Sequence, residues 1–250
     1  MTHGDHFAGF YQSVHGHPPF PWQVRLANQV ADGDWPEVIR LPTASGKTSV
    51  LDVAVHALAM QADRPPGART TPLRIFFVID RRLVVDEVSA HARRIAKELA
   101  DPKSPETAEV SEHLLRYGGG TALEVATLRG GMYRDDAWAE LPNQHMIGVT
   151  TIDQLGSRLL FRGYGLSRFQ FPVQAGLVGC DALWIVDEAH LAQPLLETLG
   201  RIQVYRNWAE NPLPLPSRFT VMSATPRGES AAFGLELDDV CHPVLSKRLS

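Results

Sequence analysis

The sequence is poor in cysteine, with only Cys180 and Cys241 in 250 residues. Two cysteines provide neither the bridges of a disulfide-stapled domain nor the ligands of a cysteine-rich metal cluster. Disulfide-dense domains are typical of secreted proteins, so this scarcity favours a reduced, intracellular setting.

Long apolar runs and a leader segment are also missing. No stretch reaches the roughly 18 apolar residues that a membrane-spanning helix needs. The first twenty residues lack the basic region followed by an apolar run that marks a signal peptide. We therefore expect a cytoplasmic protein without a membrane partner.

An overall basic field is absent as well, because the formal net charge is -4. A chain of this charge is not drawn as a whole to nucleic acid or to anionic lipid. Any contact with nucleic acid must therefore come from a local groove.

The composition that remains is that of a globular protein, with 44% hydrophobic and 21% charged residues. Short apolar runs alternate with longer helix-like segments such as TSVLDVAVHALAMQA and LVVDEVSAHARRIAKELA. The strand-like runs are EVIRL, LRIFFVI, ALEVATL, MIGVT, ALWIVD and RFTVMS. Apolar strands separated by helices indicate an α/β fold, with a doubly wound, mainly parallel sheet and helices on both faces.

The first twenty residues are rich in His, Gly and Pro, and we expect a loosely ordered lead-in there. His3, His6, His15 and His17 raise the alternative of a metal site, since histidines in a short tract can ligate zinc. No cysteine or Asp-rich partner set accompanies them, so a polar tail is the favoured interpretation.

The segment LPTASGKTSV follows a strand-like run and precedes a helix-like one. It resembles a phosphate-binding loop, except that Leu41 occupies the position of the usual first glycine. Gly46 lets the backbone approach phosphate oxygens, Lys47 can reach the β- and γ-phosphates, and Thr48 can ligate Mg²⁺. The loop thus predicts a nucleotide site formed by Thr43, Ala44, Ser45, Gly46, Lys47 and Thr48, with ATP and Mg²⁺ as its cofactors.

A second motif, LWIVDEAH, is an apolar strand that ends in acidic residues. Carboxylates at this end of a parallel strand lie in the ligand crevice. Asp187 is suited to hold Mg²⁺, Glu188 to orient or deprotonate water, and His190 to sense the γ-phosphate. The alternative, acidic residues that merely cap a helix, does not account for the pairing with the upstream SGKT.

A third motif, VMSATP, contains Ser223 and Thr225 after a strand, although these hydroxyls could equally cap a turn. With the other two, it resembles the first RecA-like domain of a superfamily 2 DEAH-box helicase. The resemblance implies that Ser223 and Thr225 couple hydrolysis to nucleic-acid movement. It also implies that Gln23 of PFPWQ reads adenine, while Phe20 and Trp22 either pack on the base or anchor a helix.

Three segments between the loop and the acidic motif are expected to face single-stranded DNA. The backbone amides, hydroxyls and arginines at strand ends suit phosphate contacts. The expected contacts are Arg81, Arg82, Arg129, Gly130, Gly131, Thr150 and Thr151. A further stretch, LLFRGYGLSRFQF, mixes arginines with aromatics and fits either a base-stacking surface or a half-buried loop.

Longer stretches are similar to the CRISPR-associated helicase–nuclease of type I systems, with the type I-G variant (formerly I-U) the closest match. They are PFPWQVRLANQV, DRRLVVDE, LRGGMYRDDAW, QLGSRLLFRGYG and VDEAHL. The resemblance implies an ATP-dependent DNA motor recruited to a CRISPR surveillance complex. A restriction-enzyme motor shares the core motifs, and a nucleotide- and DNA-binding module without turnover is a third alternative.

The resemblance divides the chain into a lead-in at 1–20, a RecA-like domain at 21–228 and the start of a linker at 229–250. A second RecA-like domain and an HD nuclease belong to the full pattern but are not visible in this sequence. Asp5 and His6 have the reverse order and lack companion ligands. Because an arginine finger contributes about 10³ to 10⁵ in rate, we expect the isolated chain to bind ATP weakly and to turn it over slowly or not at all.

Overall fold

The computed structural model describes residues 2–80, 82–128, 137–188, 192–223 and 232–249. Seven strands among these residues form one sheet, in the order β3-β4-β2-β5-β6-β1-β7, and every neighbouring pair is parallel. The strands are β1 (Val38–Arg40), β2 (Arg74–Ile79), β3 (Glu124–Leu128), β4 (Met146–Thr151), β5 (Ala182–Val186), β6 (Ser217–Ser223) and β7 (Phe233–Gly234).

Helices connect the strands, as parallel pairing requires. In chain order they are α1 (His3–His15), α2 (Pro21–Ala31), α3 (Val50–Ala59), α4 (Arg82–Ala100), α5 (Pro105–Tyr117), α6 (Ile152–Leu159), α7 (Gln170–Gly179), α8 (Gln193–Arg206), α9 (Leu237–Val240) and α10 (Pro243–Leu249). None of the helices in the described ranges combines the length and the apolar composition needed to cross a bilayer.

The sheet is buried on both faces, and β2 shows this most directly. Its alternate side chains enter two different clusters: Ile75 and Phe77 pack with α1 to α5, whereas Phe76 and Val78 pack with α6, α7 and α8. Because successive strand residues point to opposite faces, helices cover both sides. The predicted doubly wound α/β fold and its six strand-like runs are confirmed.

The predicted loose lead-in at the N-terminus is wrong, because residues 3–15 form α1. Phe7, Phe10, Tyr11 and Val14 are buried at helical spacing and pack against the core. Thr2 caps the helix and Gly16 ends it in the left-handed conformation, with φ 76°. In the sequence, the polar residues between these aromatics hide the helical spacing of the apolar face.

The C-terminal segment also packs on the domain. β7 pairs with β1, and Arg25 of α2 donates to the Asp239 carboxylate of α9 at 3.0 Å. Leu245 of α10 is fully buried in the same cluster as α1. The resemblance assigns residues 229–250 to the start of a linker. In the described part of this segment, β7 forms one edge of the sheet, and α9 and α10 contact the domain.

Candidate functional site

The described candidate residues that follow strands lie along one edge of the sheet, because the strands of the described residues run in the same direction. We call the edge at which Arg40, Ile79, Thr151, Val186 and Ser223 end their strands the carboxyl edge. The order β5-β6-β1 places the acidic motif, the end of β6 and the phosphate loop side by side. The order β3-β4-β2 places the ends of the three strands that precede the predicted nucleic-acid segments on the other half of this edge.

The loop between β1 and α3 has the backbone of a phosphate-binding turn. Ala44 has a φ of 66° and Gly46 a φ of 83°, so both lie in the left-handed region. A side chain is disfavoured at such angles, and the glycine at 46 meets that requirement. Thr43 and Ala44 are exposed, Ser45 is buried, and Lys47 and Thr48 begin a short 3₁₀ turn that leads into α3. Left-handed conformations at Ala44 and Gly46, on either side of Ser45, curl the loop so that its backbone amides can face an anion.

Side chains of helix α2 support this loop through hydrogen bonds. The indole of Trp22 donates to the carbonyl of Ser45 at 3.2 Å. The side-chain amide of Gln23 accepts from Phe20 N at 2.7 Å and donates to Ser49 Oγ at 2.6 Å. The Ser49 hydroxyl donates in turn to Gly46 O at 2.7 Å. Two side chains of α2 therefore set the path of the loop.

The predicted adenine contact, Gln23, is only 1% exposed, and both ends of its amide have partners within the chain. Its role toward a base stays a prediction. Phe20 and Trp22 are both buried in the core, with 5% and 0% exposure. They anchor α2, which is one of the two alternatives that the sequence leaves open.

Lys47 bridges the loop and the acidic motif. Its Nζ lies 3.6 Å from Glu188 Oε1, and its side chain is 12% exposed. Glu188 has a φ of 49°, a left-handed conformation that is uncommon outside glycine. Such strain is typical of functional turns, and here it directs a carboxylate toward the phosphate loop.

Asp187 lies directly before this turn. Its backbone amide donates to Val78 O at 2.9 Å, and its Oδ1 accepts from Glu188 N at 3.0 Å. Burial raises the pKa of its carboxyl above the ordinary value and the Glu188 charge adds to this, although Lys47 opposes it. A desolvated carboxylate beside a second one is an arrangement that a bound cation would stabilise.

Ser223 ends β6 between the two motifs. Its carbonyl accepts from Leu41 N at 3.2 Å, so the end of β6 is tied to the start of the phosphate loop. The other predicted residues of these motifs, His190 and Thr225, lie outside the described residues. The expected coupling role of Ser223 and Thr225 stays a prediction.

On the other half of the carboxyl edge, the two predicted threonines have partners within the chain. Thr150 is fully buried, and its hydroxyl donates to Leu128 O at 3.2 Å. Thr151 caps α6, with its hydroxyl accepting from Gln154 N at 3.4 Å. Arg82 begins α4, whereas Arg81, Arg129, Gly130 and Gly131 lie outside the described residues. Contacts of these residues with DNA stay predictions.

The sequence motifs did not predict a buried hydrogen-bonded cluster on α3. Asp52, fully buried in α3, accepts from His15 Nε2 of α1 at 2.8 Å and from His91 Nε2 of α4 at 2.6 Å. Burial opposes ionisation of Asp52, but the two imidazoles outweigh it and hold the pKa of the carboxyl below its ordinary value. Arg94 Nη1 faces the other nitrogen of His15 at 3.4 Å, so Nε2 is the nitrogen that carries the proton.

No family model matches the chain, and no curated protein matches it. Solved structures do resemble it. The helicase MrfA bound to DNA, described as a DUF1998 helicase, matches with a TM-score of 0.53 and 13% identity over 89% of this chain. MrfA bound to DNA and AMPPNP gives 0.56 and 14% over 90%. The DEAD-box helicase Mss116, bound to ssRNA and UDP-BeF, gives 0.53 and 16% over 96%.

These likenesses show the fold, which is RecA-like α/β. The chain covers 27% of the MrfA chain and 40% of the Mss116 chain, so it spans less than half the length of either protein.

Proposed function

We propose that this chain is the ATP-binding motor domain of a nucleic-acid helicase. The observation that carries the proposal is the contact of Lys47 Nζ with Glu188 Oε1 at 3.6 Å, between a phosphate-type loop and the half-buried Asp187. Hydrolysis of a nucleoside triphosphate uses a lysine from a phosphate-binding loop and carboxylates that hold a metal ion and orient water. Lys47 and the Asp187–Glu188 pair provide these groups.

In this proposal the backbone amides of residues 43–48 bind the nucleotide phosphates. The Lys47 ammonium leaves its contact with Glu188 and pairs with the β- and γ-phosphates. Glu188, whose side chain is 38% exposed, is proposed to turn toward solvent when this contact breaks. Gln23 supports the loop through Ser49, and its proposed contact with adenine requires its amide to leave the partners it has within the chain.

Thr48 and Asp187 would hold Mg²⁺. A hydroxyl and a carboxylate are hard oxygen ligands of the kind that Mg²⁺ prefers. Burial raises the pKa of the Asp187 carboxyl, and a bound cation would favour its charged form. Mg²⁺, when bound there, neutralises charge on the β- and γ-phosphates.

Glu188 is proposed to orient the attacking water and to accept its proton. Its carboxylate follows Asp187 immediately and lies 3.6 Å from the Lys47 ammonium, which is proposed to contact the phosphates. His190, Ser223 and Thr225 are proposed to pass the state of the γ-phosphate to the half of the carboxyl edge where the nucleic acid would bind.

The nucleic-acid strand is proposed to cross the ends of β2, β3 and β4. The proposed contacts are Arg81, Arg82, Arg129, Gly130, Gly131, Thr150 and Thr151, and the support is that similar solved structures hold DNA or ssRNA. Single-stranded DNA as the substrate, and interference in a CRISPR type I system as the setting, rest on the motif resemblance alone.

The test is ATP hydrolysis by the purified chain with and without single-stranded DNA, for the unaltered protein and Glu188→Gln. We expect Glu188→Gln to bind Mg·ATP with unchanged affinity and to lose turnover at least 100-fold wherever the parent is active, because a general base contributes about 10² to 10⁴ in rate. If the chain alone is inactive, the same pair is compared after adding a second RecA-like domain. Equal turnover of the two proteins would remove Glu188 from the base role.

A further inference from the structure

A loop beside the proposed nucleic-acid path exposes large aromatic side chains. We call residues 160–171, between α6 and the first turn of α7, the aromatic loop. Phe161 is 59% exposed, Tyr164 60% and Phe169 90%. Elsewhere Phe7, Phe10 and Phe76 are fully buried, so exposure of three aromatics in one segment is the kind of apolar surface that marks a binding site.

The aromatic loop has a defined path. The amides of Arg162 and Gly163 both donate to Ser157 O, at 2.8 and 3.0 Å, and Leu166 N donates to Gly163 O at 3.0 Å. Phe161 has a φ of 56°, in the left-handed region where a bulky residue is strained. The loop backbone therefore follows one hydrogen-bonded path, with a conformational cost at Phe161, and its aromatic side chains are exposed on that path.

A cleft of about 590 Å³ lies under the loop. Ile152 and Asp153 line it from the start of α6, Tyr164 from the loop, and Pro194 and Leu195 from the start of α8. The start of α6 follows the end of β4, so the cleft opens at the carboxyl edge. A planar group that enters it would meet Tyr164 and the apolar side chains of two helices.

The charge of the aromatic loop favours a polyanion. Arg162 and Arg168 are exposed, and neither takes part in the ion pairs found among the described residues. The cleft under the loop is lined by Arg162 and by one carboxylate, that of Asp153. Arginines interleaved with aromatics bind single-stranded nucleic acid by pairing with phosphates while the bases stack.

We propose that the aromatic loop binds single-stranded nucleic acid, with unpaired bases stacked on Tyr164 and Phe169 and phosphates on Arg162 and Arg168. This inference rests on the proposed function and adds a base-stacking site to it. Because every base has a π-face, the site is tolerant of sequence.

The experiment measures binding of a fluorescein-labelled dT₂₀ oligonucleotide to the full chain by anisotropy. Tyr164→Ala and Phe169→Ala should each weaken binding at least about 5-fold, since stacking is worth about 1–3 kcal/mol per base. Tyr164→Phe, which keeps the ring, should bind like the parent. Arg162→Ala should lower the slope of log affinity against log salt by about 0.7, the value for one phosphate of a single strand.

The matched control is Tyr205→Ala. Tyr205 is 57% exposed near the end of α8, where Gln203 contacts the start of β6 at the opposite edge of the sheet. It should leave dT₂₀ binding unchanged. A probe with 2-aminopurine in place of one base should lose fluorescence on binding to the parent and less on binding to Tyr164→Ala.

Unchanged dT₂₀ affinity in the Tyr164→Ala, Phe169→Ala double variant would overturn the inference. If that variant instead changed self-association in sedimentation, the patch would be a protein interface, which also overturns it. Absence of dT₂₀ binding by the parent would overturn the stacking site too, whereas the proposed nucleotide site is judged separately by Lys47-dependent ATP binding. Thermal unfolding of each variant shows whether its fold is retained.

Discussion

At the scale of single residues, the candidate site consists of one ammonium held between a loop and two consecutive carboxylates. The motifs SGKT and DEAH predict Lys47, Asp187 and Glu188 as site residues, since each motif follows a strand-like run. The distance of 3.6 Å between Lys47 and Glu188 agrees with that prediction. What the spacing did not predict is how the loop is supported.

The loop is supported by Trp22, and this gives a prediction. Trp22→Phe removes the hydrogen bond to Ser45 O while it keeps most of the buried ring. We expect the dissociation constant for Mg·ATP to rise about 3- to 10-fold, because one buried hydrogen bond contributes about 1 kcal/mol to the loop conformation. Binding is measured by fluorescence titration with a labelled ATP analogue.

The control for this variant is Trp35→Phe. Trp35 is also buried, and its indole donates to Thr71 Oγ1 at 3.1 Å, away from the phosphate loop. It should lose a similar amount of stability and keep the parent affinity. Equal affinities for the two variants would show that Trp22 stabilises the core without positioning the loop.

At the scale of elements, three helices meet at Asp52, and none of the local patterns revealed it. His15, Asp52 and His91 are widely separated in the sequence, and only the packing of α1 and α4 on α3 brings them together. The same tertiary packing explains why α1 was predicted as loose chain. Strands are easier to predict, because a strand buried on both faces is a continuous apolar run.

Asp52→Asn should destabilise the fold by about 3 kcal/mol. The asparagine amide lacks the negative charge that accepts hydrogen bonds from both histidines. Its NH₂ group would also face one of the two histidine N–H donors. Urea unfolding at pH 7 measures the loss, and Asp63→Asn, at an exposed position beyond the end of α3, is the matched control. A loss below about 1 kcal/mol would mean that the cluster contributes little to the packing of α1.

The interface of α1 with α3 also predicts a dependence of stability on pH. Burial lowers the pKa of His56 to about 3, with His6 and His3 contributing. The folded state therefore keeps His56 neutral, while the unfolded state binds a proton below its ordinary pKa of 6.5. Stability should fall as the pH drops from about 6.5 toward 3, by up to about 1.4 kcal/mol per pH unit from this group.

His56→Gln should reduce that slope, because glutamine does not titrate and can still hydrogen-bond to His6, which contacts His56 at 2.9 Å. The measurement is the free energy of unfolding in urea at pH 7, 6, 5 and 4 for both proteins. Parallel curves would show that His56 does not account for the acid sensitivity of this interface.

At the scale of the whole molecule, the parallel sheet ends its strands at one edge, where the phosphate-type loop and the described part of the acidic motif lie. The strand order could not be predicted from the sequence, because parallel neighbours such as β1 and β6 are far apart along the chain. Nor could the pairing of β7 with β1, since a two-residue strand has no periodicity. The motifs nevertheless predicted the edge, because each follows a strand.

The central claim is that the loop from 43 to 48 binds a nucleotide through Lys47. The most direct measurement is the affinity of the chain for Mg·ATP, compared between the parent, Lys47→Ala and Lys97→Ala, a variant of an exposed lysine on α4. We predict parent affinity for Lys97→Ala. Lys47→Ala should bind at least 10-fold more weakly, since charged hydrogen bonds contribute about 1.5–3 kcal/mol. Equal affinity of Lys47→Ala and the parent would contradict the account.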